Sequence, residues 1–231
     1  PPAASAPPAG DGARRIEADV AFLADDLLEG RAAGTRGYDL AALYVANRYR
    51  AIGLQPAGED GSYFQRVPLL EGRRLRDGAG LSLVRDGQER RFAFEDEFLP
   101  GINFNAASHS VTAPLVFVGQ AVHAPELEHD DFAGVDVRGK ILVVLVNDAD
   151  FEQPELDTFG GRAMTYYGRW TYKYEELARQ GAAGVLIVHE TAPAAYGWAT
   201  VRASGLSPVF DIPRPDAATY HTLLRGWMQR D

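Results

Sequence analysis

Two apolar runs constrain the fold more than any other feature. Residues 141–146 read ILVVLV, a continuous hydrophobic stretch of strand length, as expected for a strand buried on both faces. Val185 to Val188 is a second such run. Between them the spacing predicts a helix from Trp170 to Gln180, with Trp170, Tyr174, Leu177 and Ala178 on one side and Gly181 as its stop. Trp170 and Tyr174 are expected to face the core. Strand, helix and strand in this order make an α/β unit, so the fold class is mixed α/β.

The flanking sequence supplies further elements. Ile16, Val20, Leu23 and Leu27 form one stripe of an amphipathic helix that Glu29-Gly30 ends. After the turn GRAAGTRG, Ala41, Tyr44, Val45, Tyr49 and Ile52 form a second stripe, closed by Gly53 with Pro56 beyond. Leu81 to Arg85 and Gln88 to Phe94 flank Asp86-Gly87, a pair that accepts the positive φ angles of a two-residue hairpin turn. Leu115 to Val118 reads as a short strand, and Thr219 to Met228 as a final helix. More than 20 residues lie between the 141–146 strand and the helix at Trp170. A loop of that length in a folded domain is read as a functional excursion.

Composition narrows the function classes. Hydrophobic residues make up 46% and charged residues 24%, and no apolar run approaches the roughly 20 residues of a membrane-spanning helix. The formal net charge of −9 argues against nucleic acid as a partner, because phosphate binding needs a concentrated positive face. Arg73, Arg74 and Arg76, with Arg90 and Arg91 nearby, flank the hairpin and read as a solvated face. Cysteine is absent, which removes disulfides, thiol nucleophiles and thiolate metal sites. Residues 1–15, PPAASAPPAGDGARR, read either as a flexible tether following a removed signal or lipoprotein anchor, or as a plain disordered N-terminus or cloning residue. Arginine outnumbers lysine 21 to 2, which fits a GC-rich bacterial genome.

Four constellations bear on chemistry. Gly134 to Lys140 (GVDVRGK) meets part of a P-loop pattern, but its glycines precede a strand, whereas phosphate binding needs them to open a helix. It is read as a tight turn. His123 to Asp131 (HAPELEHDD) gathers two imidazoles and four carboxylates, yet Pro125 prevents the helical presentation of zincin motifs, so an acidic surface loop is the better reading. Asn147-Asp148-Ala149-Asp150 is read as a polar turn after a strand, with a weak calcium site as the minority reading. No G-x-S-x-G elbow occurs, Ser108-His109-Ser110 is mere adjacency, and His189 and His221 stand alone. Neither a catalytic nor a metal site is assigned. What remains is aromatic: Tyr166, Tyr167 and Arg169 from the long loop, with Tyr196 and Trp198, are the candidates for contact with a peptide or another domain.

The stretch from Ile16 to Leu69 closely resembles the start of bacterial M28 metallopeptidases: Leu23 to Arg31, Gly34-Thr35-x-Gly37, Gly53 to Pro56 and Asp60 to Val67 occur in the family's order. From Pro114 on, PLVFVGQAVHAPELEHDDFAGVDVRGKILVVLV and TYKYEELARQGAAGVLIVHE look like the protease-associated (PA) domain that these enzymes insert into the peptidase domain. Beyond the segment 1–15, read from its composition as a tether, the resemblance implies a peptidase-domain segment of two helices and a hairpin at 16–101, and a PA-type β-sandwich or open barrel with flanking helices at 102–231. It implies an exported enzyme, secreted or periplasmic or held at the membrane through a lost N-terminal anchor. The family's two zinc ions are held by His, Asp and Glu residues that follow the PA insertion, and nothing here corresponds to them. The expected role is therefore non-catalytic: a lid and substrate-access module contacting peptide substrate and a catalytic domain, with no cofactor in this chain and zinc in the full-length enzyme. A free-standing PA module that binds peptides or a protein partner is the alternative. An enzyme built on the His123 to Asp131 cluster is a third possibility.

Overall fold

A computed structural model describes residues 10–230, and the part of the expected tether at 1–9 lies outside the described residues. The chain divides into two compact units, one ending at Val67 and one beginning at Pro68.

In the first unit, α1 (Asp11–Leu23) starts inside the segment expected to be a tether. Gly10 ends the Pro-rich run, Asp11 places a carboxylate in the first turn, and Arg14 meets it at 2.5 Å one turn on. The helix also stops earlier than its apolar stripe suggests. The Asp25 side chain accepts from Leu27 N at 2.9 Å and starts a separate 3-10 turn, Asp26–Arg31, leaving Leu27 84% exposed. Helix α2 (Arg36–Ala51) is capped by Thr35, whose hydroxyl accepts from Tyr38 N, and Gly53 at φ +82° follows its C-cap as predicted. Phe22 stacks on Tyr44 at 4.2 Å, while the Tyr44 hydroxyl and Arg48 both bond Asp19, whose carboxyl they hold below its usual pKa. Gly37 lies against the backbone of buried Leu28, where a Cβ would meet the Leu28 carbonyl oxygen at 1.7 Å.

The second unit opens with β1 (Leu70–Gly72) and the hairpin β2 (Leu81–Arg85) and β3 (Gln88–Phe92). The hairpin turns through Asp86 and Gly87, at φ +51° and +76°, as their residue types predict. There follow β4 (Phe98–Pro100), β5 (Leu115–Phe117), the short pair β6 (His123–Ala124) and β7 (His129–Asp130), and β8 (Ile141–Leu145). After the long excursion come α3 (Trp170–Arg179), β9 (Gly184–His189), the short helix α4 (Thr191–Ala194), α5 (Trp198–Leu206), β10 (Val209–Asp211), α6 (Ala217–Tyr220) and β11 (Leu224–Gln229). The class is mixed α/β, as expected.

The central sheet has the order β4-β11-β9-β8-β5, with β5, β8, β9 and β11 parallel and β4 antiparallel at one edge. Because β4 pairs with β11, Phe98–Pro100 are built into the same sheet as the 141–146 run. Strand register then divides the apolar side chains. Leu142, Val144, Val185 and Ile187 pack with Tyr174 and Leu177 of α3. On the opposite face Ile141, Val143, Leu186, Val188, Leu224 and Met228 line a cavity of about 1480 Å³ beneath the β2–β3 hairpin. The turn 134–140 feeds β8 directly, with Gly134 and Gly139 at positive φ and Gly139 N bonded to Gly181 O at 2.8 Å. That is a strand-entry turn and not a phosphate loop.

The final element corrects the sequence reading. Only Ala217–Tyr220 is helical, and Leu224–Gln229 is a strand between β9 and β4. Pairing on both sides outweighs the local helical spacing. The signal was Gly226, where a Cβ would meet Leu99 O at 2.8 Å, since a glycine inside a strand marks close backbone approach.

Candidate functional site

The parallel strands end on one side of the sheet, and there the sequence turns polar. After β8, Asn147 takes φ +73°, its side-chain amide donates to Pro193 O at 2.9 Å, and its backbone N bonds Gly168 O at 3.1 Å. The second of these bonds ties the two ends of the excursion together, and the first fastens it to α4. Within it, Asp148 Oδ2 accepts from Thr165 N (3.1 Å) and Thr165 Oγ1 (2.7 Å), and Asp150 Oδ2 accepts from Phe159 N (2.7 Å) and Gly161 N (3.1 Å). Asp148 is 1% and Asp150 0% exposed, so the segment read as a polar turn is the buried organiser of the excursion. One oxygen of each carboxylate has no partner.

Lys173 completes this interior. It is fully buried in α3, and its Nζ donates to the carbonyls of Gln120, Asn147 (2.8 Å) and Tyr167 (3.5 Å). Desolvation lowers its pKa to about 7, against the opposing pull of Asp131 and Asp148. Sequence reasoning passed over Lys173; its place on the apolar side of a predicted helix was the available signal.

Above this interior the aromatic side chains form two groups. In the first, Tyr167 meets Phe159 at 5.8 Å and Tyr172 at 5.1 Å, both edge to face, and Tyr166 stands on Tyr172 at 5.4 Å. Phe159 also meets His129 at 5.1 Å and packs with Val122 and Ala124, a small core of its own. The Tyr167 hydroxyl donates to Glu126 Oε1, which raises the tyrosine pKa and lowers that of the glutamate. The Tyr172 hydroxyl, pushed up to about 12 by burial, receives a bond from His123 N at 3.0 Å. In the second group His189 lies between Tyr196 (5.5 Å), Trp198 (5.6 Å) and Trp227 (6.0 Å). Its Nε2 is 3.0 Å from Tyr196 O, so that nitrogen carries the proton, and burial lowers its pKa.

The candidate contact residues are thus separated. Tyr166 and Arg169 are exposed, and Tyr167 is half-buried in the first group. Tyr196 and Trp198 are half-buried in the second, with Trp198 Nε1 donating to Glu95 O at 2.7 Å. Trp170, expected in the core, is 46% exposed at the first turn of α3 and meets both Tyr174 (6.1 Å) and Trp227 (6.5 Å) edge to face. Helical periodicity assigned its side correctly, but the core ends before the helix does. Trp198→Phe is expected to cost about 1–2 kcal/mol, the loss of one buried hydrogen bond, measurable by urea denaturation.

The histidine-rich loop offers no ligand cluster. His123 Nδ1 lies 3.4 Å from Asp130 and His129 Nε2 lies 3.1 Å from Asp131, and among the described residues no three His, Asp or Glu side chains are grouped so as to hold a metal ion.

Comparison with known proteins adds three findings. No curated protein matches this chain. An aminopeptidase from Aneurinibacillus sp. strain AM-1 is a structural neighbour at 14% identity and a TM-score of 0.36; the match covers 94% of this chain but only 38% of that protein. The family model for the PA domain matches residues 111–217, the region that contains β5, β8, the excursion, α3 and β9. Residues 111–217 are therefore similar to a PA domain.

Proposed function

We propose that this chain is the front part of an exported M28 zinc aminopeptidase, in which the PA domain serves as a lid and substrate-access module and contacts the catalytic domain. The PA match over residues 111–217 carries the reading. The ordered M28-like motifs between Ile16 and Leu69 support it, since they have no purpose in a free-standing PA module. The aromatic groups at the C-terminal ends of the parallel strands supply a surface of the kind such a role requires, with apolar rings and polar tips.

Among the described residues, no His, Asp and Glu side chains are grouped so as to fit zinc. Each imidazole of the 123–131 loop faces one aspartate, so the co-catalytic ions of this reading would be held by residues beyond Asp231. No described helix is long and apolar enough to cross a membrane. Export is proposed from the M28 resemblance.

The coding sequence past Asp231 is the test. It is expected to contain a His-x-Asp and a Glu-Glu pattern, and its full product to release N-terminal residues from peptides in a chelator-sensitive way. In that product Tyr166→Ala with Tyr167→Ala should raise KM with kcat nearly unchanged. A stop codon directly after Asp231 would favour the free-standing PA module, and turnover by residues 1–231 alone would overturn the non-catalytic assignment.

A further inference from the structure

The face of the central sheet turned away from α3 is aliphatic. Ile141, Val143, Leu186, Val188, Leu224 and Met228 form the floor of the cavity of about 1480 Å³, and Leu81, Leu83 and Phe92 of the hairpin lie over it. Val143, Val188, Leu224 and Met228 are only half-buried there, and Leu115 at the β5 edge is 43% exposed. The volume exceeds the roughly 300–1,000 Å³ of ordinary small-ligand pockets, so it has room for a long chain.

The chemistry of the floor limits what that chain can be. The backbone groups of β8 and β9 are used within the sheet, where β8 pairs with β5 and β9, and β9 with β11. The floor therefore presents side chains and no main-chain donors or acceptors. A peptide laid across it would bury its own N–H and C=O groups without partners, whereas a hydrocarbon chain has none to satisfy.

Charge enters the cavity beside Pro100. Among the described residues four arginines line it, and three of them are paired: Arg73 with Glu71 at 2.5 Å, Arg90 with Glu97 at 2.8 Å and Arg230 with Glu190 at 2.5 Å. Arg74 differs. Its Nε and Nη1 donate to the carbonyls of Pro100 and Gly205, and among the described residues no carboxylate pairs with it. Read from the sequence as part of a solvated face, it is half-buried, and desolvation and the nearby Arg225 lower its pKa. Arg225 in turn donates to Ile102 O at 2.9 Å and meets His221 Nδ1 at 3.2 Å. A half-buried guanidinium with a second cation close by and no bonded carboxylate is complementary to an anionic head group, which would relieve the repulsion and accept a charge-assisted hydrogen bond.

We propose that this cavity binds a long-chain carboxylate, with the hydrocarbon chain on the aliphatic floor and the head group on Arg74. The site lies on the sheet face opposite α3 and is independent of the peptide-contact reading.

Isothermal titration calorimetry of the purified chain at neutral pH with octanoate, decanoate and decanol, each below its micellar or solubility limit, tests the proposal. Decanoate is expected to bind about tenfold more tightly than octanoate, because each further buried methylene adds a similar increment. Decanol, of equal chain length but uncharged, should bind at least about fivefold more weakly than decanoate. Val143→Phe adds bulk at a half-buried floor position and should weaken both ten-carbon ligands about tenfold while thermal unfolding stays unchanged. Arg74→Met should bring decanoate down to the affinity of decanol and leave decanol as it was. If that variant fails to fold because Pro100 and Gly205 lose their donor, the difference between acid and alcohol in the natural chain decides the same point. Absence of saturable decanoate binding, or undiminished affinity in Val143→Phe, overturns the site. Equal binding of acid and alcohol overturns the head-group contact. A dimer in sedimentation velocity that Val143→Phe dissociates and decanoate leaves intact would place a second copy on this face and overturn the proposal as well.

Discussion

Replacing Lys173 by methionine is expected to destabilise the second unit by about 3 kcal/mol at pH 7, measured by urea denaturation. Methionine matches the buried stem but leaves the carbonyls of Gln120, Asn147 and Tyr167 without their shared donor, and Asp148 without the nearest cation. A second observable separates lost bonding from lost charge. The folded-state pKa of Lys173 is lowered to about 7 from an ordinary 10.5, so between these values the unfolded chain binds a proton that the folded chain does not. Raising pH through that window therefore stabilises the fold. The gain from this group between pH 7 and 9 is about 2 kcal/mol. Lys173→Met should lack that rise, so its deficit relative to the natural chain should widen with pH. A deficit that instead stays constant from pH 7 to 9 would show that the ammonium form, and not the neutral amine, is favoured by burial here.

The sequence disclosed those parts of the fold whose patterns are local. The runs at 141–146 and 185–188 announce strands because each is apolar throughout and of strand length, and Asp86-Gly87 announces a hairpin because few other dipeptides accept two positive φ angles. Leu224–Gln229 was not legible, because its strand identity comes from β9 and β4, the latter more than a hundred residues away in the chain. The helix boundary at Leu23 was hidden for a related reason: the Asp25 cap competes with an apolar stripe that runs on to Leu27. For the candidate site, the aromatic letters were visible but their grouping was not. Tyr166 and Tyr196 belong to separate clusters that only the sheet topology sorts. Least legible was the interior, since Asn147, Asp148 and Asp150 look like any solvated turn until the excursion folds back over them.

That burial leads to the second large effect. Asp150→Ala is expected to cost about 2–4 kcal/mol, because it removes the acceptor for two backbone N–H groups, Phe159 N and Gly161 N, at a position with no access to water. Opposing this, the substitution also removes a buried carboxylate with one unpartnered oxygen, which relieves a desolvation cost. Asp150→Asn distinguishes the two terms: its side-chain carbonyl still accepts from both donors, while the charge is gone. If hydrogen bonding dominates, the asparagine variant should retain most of the stability that alanine loses. If desolvation dominates, asparagine should exceed the natural chain. In either case the alanine change should act locally first, since Phe159 anchors the small core of Val122, Ala124 and Tyr167 through the turn that Asp150 holds. Hydrogen exchange should then accelerate at residues 157–162 and around Glu126 while the amides of β8 and β9 remain protected. Uniform acceleration across the sheet would instead mean that the excursion and the central sheet unfold as one unit.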